Sequence, residues 1–131
     1  MRYSVDIQGK MTIDPPLTYK QLRDLPLYIE YAKDNDLGPD VAFQITDTLV
    51  EDNEGDLVHR RRANAIVPAE GDTQGRSIVN DINLVIDSFP EHTLTGRFDL
   101  MGEDGQQWRV FIRDGRAVKV SPEITWPEDS E

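Results

Sequence analysis

The sequence of 131 residues contains no cysteine and only two histidines, His59 and His92. Without cysteine there is no disulfide framework, no thiolate nucleophile and no cysteine-based zinc or iron–sulfur site. Two histidines make a typical zinc site only if carboxylates join them. These absences exclude several classes of redox and metal enzyme, and we expect no cofactor.

Long apolar runs and catalytic motifs are absent as well. No run approaches the length that spans a bilayer, and the first six residues alternate like a strand instead of resembling a signal peptide. The glycines form neither a P-loop nor a Gly-x-Gly-x-x-Gly fingerprint, and no serine lies in a Gly-x-Ser-x-Gly elbow. We therefore expect a cytoplasmic protein without a membrane partner and without enzymatic activity.

Acidic residues outnumber basic residues by 25 to 14, which gives a formal net charge of −11. The excess is concentrated in residues 34–58, which contain eight acidic residues and no basic residue. Such a surface repels a phosphate backbone, so direct nucleic-acid binding is not expected. Two interpretations stay open: a solvated surface that keeps the protein soluble, or a surface that binds a basic protein partner.

The candidate interaction surface combines this acidic segment with the arginines that follow it and with one tryptophan near the C-terminus. Its members are Asp34, Asp36, Asp40, Asp47, Glu51, Asp52, Glu54, Asp56, Arg60, Arg61, Arg62 and Trp126.

The first three aspartates of this set surround Gly38 and resemble the start of a calcium loop. The later positions lack the glycine and the bidentate glutamate of an EF-hand, so an acidic loop is favoured over a metal site. Trp126 either caps the core or docks onto a second copy. The three arginines are expected to pair with acidic residues on a neighbouring strand, although an outward-facing arrangement is the alternative.

Alternating apolar residues predict strands at 2–14, 41–50 and 57–68, with a hairpin tip at 51–56. Gly9 indicates a bulge or a close approach of another backbone within the first strand. Asp14-Pro15-Pro16 is expected to end that strand.

Two helices are predicted. Thr18 and Gln21 have the spacing of a capping box and indicate a short helix that Pro26 ends or kinks. Ile78, Ile82 and Val85 repeat at helical spacing, which predicts an amphipathic helix over about 76–89.

Residues 93–126 are typical of a three-stranded antiparallel meander, with turns at 102–105 and at Asp114-Gly115. Trp108 alternates with Val110 and Ile112 and is expected to face the core. The predicted order is β–α–β–β–α–β–β–β. This order indicates a single α+β domain over residues 1–127, mainly antiparallel, with two helices on one sheet face and a frayed acidic end at 128–131.

Several stretches resemble a family of small acidic domains of unknown function from actinobacteria and their phages. They are Ile13–Thr18, Ala65–Ala69, Phe89–Thr93 with Thr95-Gly96, and Trp108-Arg109 leading to Arg113–Val120. The resemblance covers nearly the whole chain but implies no catalytic residue, cofactor or substrate. It implies a bacterial or phage accessory protein and favours a role in binding another macromolecule.

Three functional hypotheses follow. The first is a non-enzymatic interaction module, an inhibitor or modulator that presents its acidic surface to a basic protein and in so doing imitates a nucleic acid. The second is an enzyme or small-ligand domain with carboxylates and His59 or His92 in a pocket. The third is a self-assembling subunit that forms a homodimer through an exposed sheet edge.

Overall fold

The structure is a computed structural model that describes residues 4–28, 35–71 and 73–122. The elements of this part of the chain are β1 (Val5–Thr18), α1 (Tyr19–Arg23), β2 (Val41–Glu51), β3 (Leu57–Pro68), α2 (Ile78–Ser88), β4 (Thr93–Gly102), β5 (Gln107–Arg113) and β6 (Arg116–Val120). The predicted order of strands and helices is confirmed. Trp126 and residues 128–131 lie outside the described residues.

All six strands belong to one sheet with the order β2-β3-β1-β4-β5-β6, and every neighbouring pair is antiparallel. The first strand therefore lies inside the sheet, between the β2–β3 hairpin and the β4–β5–β6 meander. Within the described residues, the two sheet edges are β2 and β6. This arrangement confirms the expected α+β domain.

One face of the sheet carries the core and both helices. Alternate residues of β1, such as Val5, Ile7 and Met11, are buried, whereas Asp6 and Gln8 between them are exposed. Leu22 of α1 and Ile82 of α2 belong to the same apolar cluster as these strand residues. The opposite sheet face carries mainly polar side chains together with Met101, Phe111, Val118 and Val120. Both helices lie on the core face, as the alternation predicts.

The first strand does not stop at Asp14-Pro15-Pro16, and that prediction is wrong. The strand runs to Thr18, and its pairing with β3 shifts register between Thr12 and Leu17. Proline has no backbone N–H to donate to a neighbouring strand. Because the pairing with β3 is irregular between Thr12 and Leu17, no such donor is needed at Pro15 and Pro16. The strand therefore continues past the prolines and leads directly into α1.

The start of α1 follows its capping signal. Thr18 Oγ1 accepts a hydrogen bond from the Gln21 backbone N–H (3.1 Å), and Gln21 Oε1 accepts one from the Thr18 N–H (2.8 Å). This confirms the capping box. The second helix buries Ile78, Ile82 and Val85, as its periodicity predicts.

Gly9 permits a close approach of two strands and does not form a bulge, because β1 and β4 pair without interruption from Val5 to Asp14. A Cβ atom on Gly9 would lie 2.3 Å from the carbonyl oxygen of Arg97, and one on Gly96 would lie 2.3 Å from that of Lys10. Both glycines have positive φ, at 111° and 123°. The central strand pair therefore requires glycine at both positions.

We predict that Gly9→Ala lowers the free energy of unfolding by about 3 kcal/mol. The backbone of β4 at Arg97 must move to make room for the Cβ atom, and alanine is strained at this positive φ. Gly55→Ala is the control, since its φ is also positive, at 84°, but no described residue other than its two chain neighbours has an atom within 4 Å of the position that its Cβ would take. The control is expected to cost about 1 kcal/mol. Urea unfolding of both variants measures the difference, and equal losses would contradict the close-approach explanation.

Candidate functional site

The distal hairpin, defined as residues 47–61, is the part of β2 and β3 that extends beyond the rest of the sheet. The pairing of β1 with β3 ends at Thr18 and Arg62, whereas β2 and β3 pair with each other up to Glu51 and Leu57. Residues 47–61 therefore form a two-stranded ribbon. A ribbon of two strands has no core of its own and is marginally stable without other support.

Large apolar side chains of the distal hairpin are exposed. Leu49 is 60% exposed, Leu57 is 66% exposed and Val58 is 40% exposed. The cross-strand pairs Leu49–His59 and Glu51–Leu57 place both leucines on one face of the ribbon, the face that continues the core side of the sheet. The leucines therefore form an apolar patch next to the hairpin tip.

The hairpin tip is acidic and its turn is organised by one of its own carboxylates. Asp52 Oδ1 accepts hydrogen bonds from the backbone N–H groups of Glu54 and Asp56, both at 2.9 Å. Asp52 is thus a structural residue of the turn as well as a surface charge. The carboxylates of Glu51, Glu54 and Asp56 are exposed and form no ion pair within the described residues.

A polar cluster holds the base of the distal hairpin. Asp47 Oδ1 lies 2.9 Å from His59 Nδ1, and Asp47 Oδ2 lies 3.5 Å from Arg61 Nε. The hydrogen bond from His59 lowers the pKa of Asp47, and the charges of His59 and Arg61 act in the same direction, whereas desolvation opposes them. The Arg61 guanidinium also lies 5.4 Å from the centre of the Tyr19 ring, which connects the hairpin to α1.

The three arginines differ in their contacts. The expected cross-strand pairing with an acidic residue holds for Arg61, which faces Asp47. Arg62 Nη1 donates to the carbonyl oxygen of Arg61 at 2.9 Å. Within the described residues neither Arg60 nor Arg62 forms an ion pair with a carboxylate. The arginine run is therefore only partly paired within the chain.

Asp40 does not belong to the acidic surface in which the sequence analysis placed it. It is 1% exposed, and its carboxylate accepts hydrogen bonds from the backbone N–H groups of Gln74 and Gly75 (both 3.0 Å) and of Ser77 (2.9 Å), and from Ser77 Oγ (3.0 Å). Asp36 is half-buried in a bridge to Ala42, and Asp34 lies outside the described residues. Among the described residues, Asp40 is therefore a buried structural carboxylate, whereas the carboxylates of the distal hairpin are exposed.

A second buried carboxylate, Asp81, lies near Asp40. It is 4% exposed, and its Oδ2 atom has no hydrogen-bond partner in the described part of the chain. Burial raises the pKa of Asp81 and the charge of Asp40 adds to the increase, while a hydrogen bond from Ser77 acts in the opposite direction. Gly38 packs directly on this carboxylate, since a Cβ there would lie 2.2 Å from Asp81 Oδ2.

His59 lies on β3 and His92 directly precedes β4, and the two histidines have different partners. His59 is on the exposed distal hairpin, whereas the Nδ1 atom of His92 donates to the carbonyl oxygen of Pro15 (2.6 Å). Gln21 Nε2 lies 3.3 Å from His92 Nε2, so both ring nitrogens are occupied by contacts that join β1, α1 and the start of β4. Across residues 4–28, 35–71 and 73–122 no group of three or more acidic or histidine side chains is arranged to hold a metal ion.

The exposed leucines were missed by the sequence analysis, which counted them as ordinary strand residues. Their exposure depends on where β1 stops pairing with β3, and no local pattern of β2 or β3 contains that information. The available signal was weak: Leu49 and Leu57 flank a segment with four acidic residues, Glu51, Asp52, Glu54 and Asp56.

Comparison with known protein families identifies the family of this chain. The model of a family described as "Family of unknown function (DUF6205)" matches residues 1–131. No curated protein and no solved structure matches the chain. Within the described residues, no helix has both the length and the apolar character needed to cross a membrane.

Substitution by asparagine is expected to have opposite effects on stability at Asp81 and at Asp40. Asp81→Asn should stabilise the protein at pH 7 by about 1 kcal/mol, because a buried charge with an unpaired oxygen becomes neutral. Asp40→Asn should destabilise it by about 2 kcal/mol. The two carboxylate oxygens of Asp40 accept all of the hydrogen bonds from Gln74, Gly75 and Ser77, whereas an asparagine amide has only one oxygen that can accept them.

Urea unfolding at several pH values separates the two effects. A raised folded-state pKa means that the contribution of Asp81 to stability is fully present below its ordinary pKa of about 3.9 and is lost as the pH rises through the raised value. The gain from Asp81→Asn should therefore shrink as the pH falls towards about 4. A gain independent of pH, or a loss at pH 7, would contradict the assignment.

Proposed function

The chain belongs to the DUF6205 family of unknown function, and we propose that it is a non-enzymatic protein-interaction module whose distal hairpin binds a partner protein with a basic surface. One observation supports the proposal above all others. Exposed leucines lie directly beside unpaired carboxylates at the end of a ribbon that has no core of its own.

Burial of the apolar patch provides the first part of the binding free energy. Leu49 and Leu57 leave most of their side chains in water. Full burial of a leucine side chain contributes about 1.5–3 kcal/mol. A partner that covers this face would therefore gain hydrophobic contacts and also support a ribbon that has no core of its own.

The acidic tip determines what kind of surface the partner presents. Glu51, Glu54 and Asp56 form no internal ion pair within the described residues, so their field extends into solvent. Opposite charges on a partner raise the association rate, and this effect falls as salt screens it beyond about 8 Å at physiological ionic strength. The matching surface is an apolar depression surrounded by lysine or arginine.

An inhibitor or modulator is the form of interaction module that these properties favour. Carboxylates along a turn imitate the charge spacing of a nucleic-acid backbone, whereas the adjacent leucines suit a protein pocket. A protein that normally binds nucleic acid through a basic cleft offers both features. The role of the distal hairpin would then be to occupy that cleft.

The contacts of the histidines give less support to the alternative of a carboxylate–histidine enzyme site. His59 pairs with Asp47 on the exposed ribbon, and both ring nitrogens of His92 are engaged by Pro15 and Gln21. Self-assembly is the other alternative, because β2 is an edge strand of the described sheet and an edge strand can pair with another chain. A salt-sensitive association between two copies, measured by sedimentation velocity, would favour self-assembly over an unrelated partner.

The proposal predicts that neutralising the tip weakens partner capture. The variant Glu51→Gln/Glu54→Gln/Asp56→Asn leaves Asp52 and Asp47 in place, so the turn and the base of the hairpin are retained. Capture from lysate of cells that produce the protein should fall about tenfold at low salt. The difference between variant and original protein should shrink as salt is raised.

A matched control removes the same number of charges elsewhere. Asp24→Asn/Glu91→Gln/Glu103→Gln changes exposed carboxylates outside the distal hairpin. A second variant, Leu49→Ser/Leu57→Ser, keeps every charge and should lose capture at all salt concentrations. Equal capture by the tip variant and the charge control would show that overall acidity, and not the hairpin, controls binding.

A further inference from the structure

A cleft of about 990 Å³ lies near the other end of the sheet, beside β5 and β6. Its lining includes Gln74, Arg76, Gln106, Gln107, Trp108 and Lys119. The volume is in the range of about 300–1,000 Å³ that small-molecule sites occupy. The cleft is separate from the distal hairpin, which projects from the β2–β3 end.

The lining of this cleft has the opposite charge to the rest of the chain. It includes Arg76 and Lys119 and no aspartate or glutamate among the described residues. The whole chain carries a formal net charge of −11. An anion that approaches the protein is therefore repelled on average and meets a cationic surface here.

The remaining side chains of the cleft suit an organic ligand. Trp108 forms part of its wall, and the Lys119 ammonium lies 4.7 Å from the centre of the Trp108 ring. Val79 and Pro122 add apolar surface, while Gln106 and Gln107 provide uncharged hydrogen-bonding groups. A few polar groups on an apolar wall are typical of small-molecule sites.

The wall of the cleft is rigidly attached to the core. Asp40 accepts hydrogen bonds from the backbone of Gln74 and Gly75, which line the cleft. A Cβ on Gly75 would lie 3.1 Å from Leu100 and 3.4 Å from Trp108, so this segment packs closely against the ring. A wall held in this way loses little entropy when a ligand binds.

We propose that this cleft binds a small organic anion whose apolar or aromatic body contacts Trp108, Val79 and Pro122 and whose carboxylate, sulfonate or phosphate group pairs with Arg76 and Lys119. The site is independent of the proposed function of the distal hairpin. Substitutions in the distal hairpin should leave it unchanged.

The probe for this proposal is 8-anilinonaphthalene-1-sulfonate, an aromatic sulfonate, and its neutral counterpart is N-phenyl-1-naphthylamine. The full chain with Trp126→Phe retains Trp108 as its single tryptophan. Saturable binding should shift the one indole N–H resonance in the ¹H–¹⁵N spectrum while signals of the distal hairpin stay in place. The sulfonate should bind about tenfold more tightly than the neutral compound.

Substitution of the cationic residues tests the contacts directly. Lys119→Gln and Arg76→Gln should each weaken sulfonate binding about tenfold and leave binding of the neutral compound unchanged. Lys20→Gln removes an exposed cation on α1, at a distance from the cleft, and is the matched control.

Three results would overturn the proposal. They are equal affinity for the charged and neutral probes, equal loss with Lys20→Gln, and a failure of the indole resonance to shift at saturation. Neutralising the C-terminal acids with Glu128→Gln/Asp129→Asn/Glu131→Gln gives a further test. A gain in sulfonate affinity several times larger than that of the charge-matched variant Asp24→Asn/Glu91→Gln/Glu103→Gln would assign the cleft to the chain's own C-terminal residues and would be a fourth result that overturns the proposal.

Discussion

The buried carboxylate of Asp40 connects the parts of the molecule that matter most for binding. Its hydrogen bonds reach Gln74, Gly75 and Ser77, so the loop before β2 is joined to the loop before α2. Val41 follows directly and begins the strand that carries the distal hairpin. Hydrogen bonds to a charged group are stronger than neutral ones, and a buried carboxylate is stable only when such donors surround it. The start of β2 and the wall of the cleft beside β5 and β6 therefore share one anchor.

The distal hairpin is held by a different kind of interaction. Residues 47–61 pair only with each other in the described sheet, because the pairing of β1 with β3 ends at Arg62. A single aspartate stabilises each end of this hairpin. Asp47 joins the strands through His59 and Arg61 at the base, and Asp52 closes the turn through the backbone N–H groups of Glu54 and Asp56. Polar interactions of this kind define the shape of the ribbon and leave the leucines uncovered. The combination favours a contact element over a purely solubilising surface.

Features determined by neighbouring residues could be predicted from the sequence. Alternation and turn residues gave the β3 boundaries, the tip at 51–56 and the meander, and the spacing of Thr18 and Gln21 gave the capping box. Features determined by residues far apart in the chain could not be predicted from the sequence. Asp40 appeared to be one more acid of a loop because its donors lie 34 to 37 residues away in the chain. Arg76 and Lys119 meet in one cleft only because the meander returns to the start of α2. The register shift that carries β1 past its prolines determines how much of the hairpin is left unpaired.

Photo-cross-linking from the apolar patch tests the central claim, that the distal hairpin is the contact element, most directly. The photoreactive residue p-benzoylphenylalanine would replace Leu57 in one chain and Met101 in another; Met101 is also an exposed apolar strand residue, at 47%, but lies on β4. In cells that produce the protein, position 57 should yield a discrete adduct with a protein that has a basic surface, and position 101 should not. The same adducts from both positions, or adducts from position 101 alone, would contradict the account.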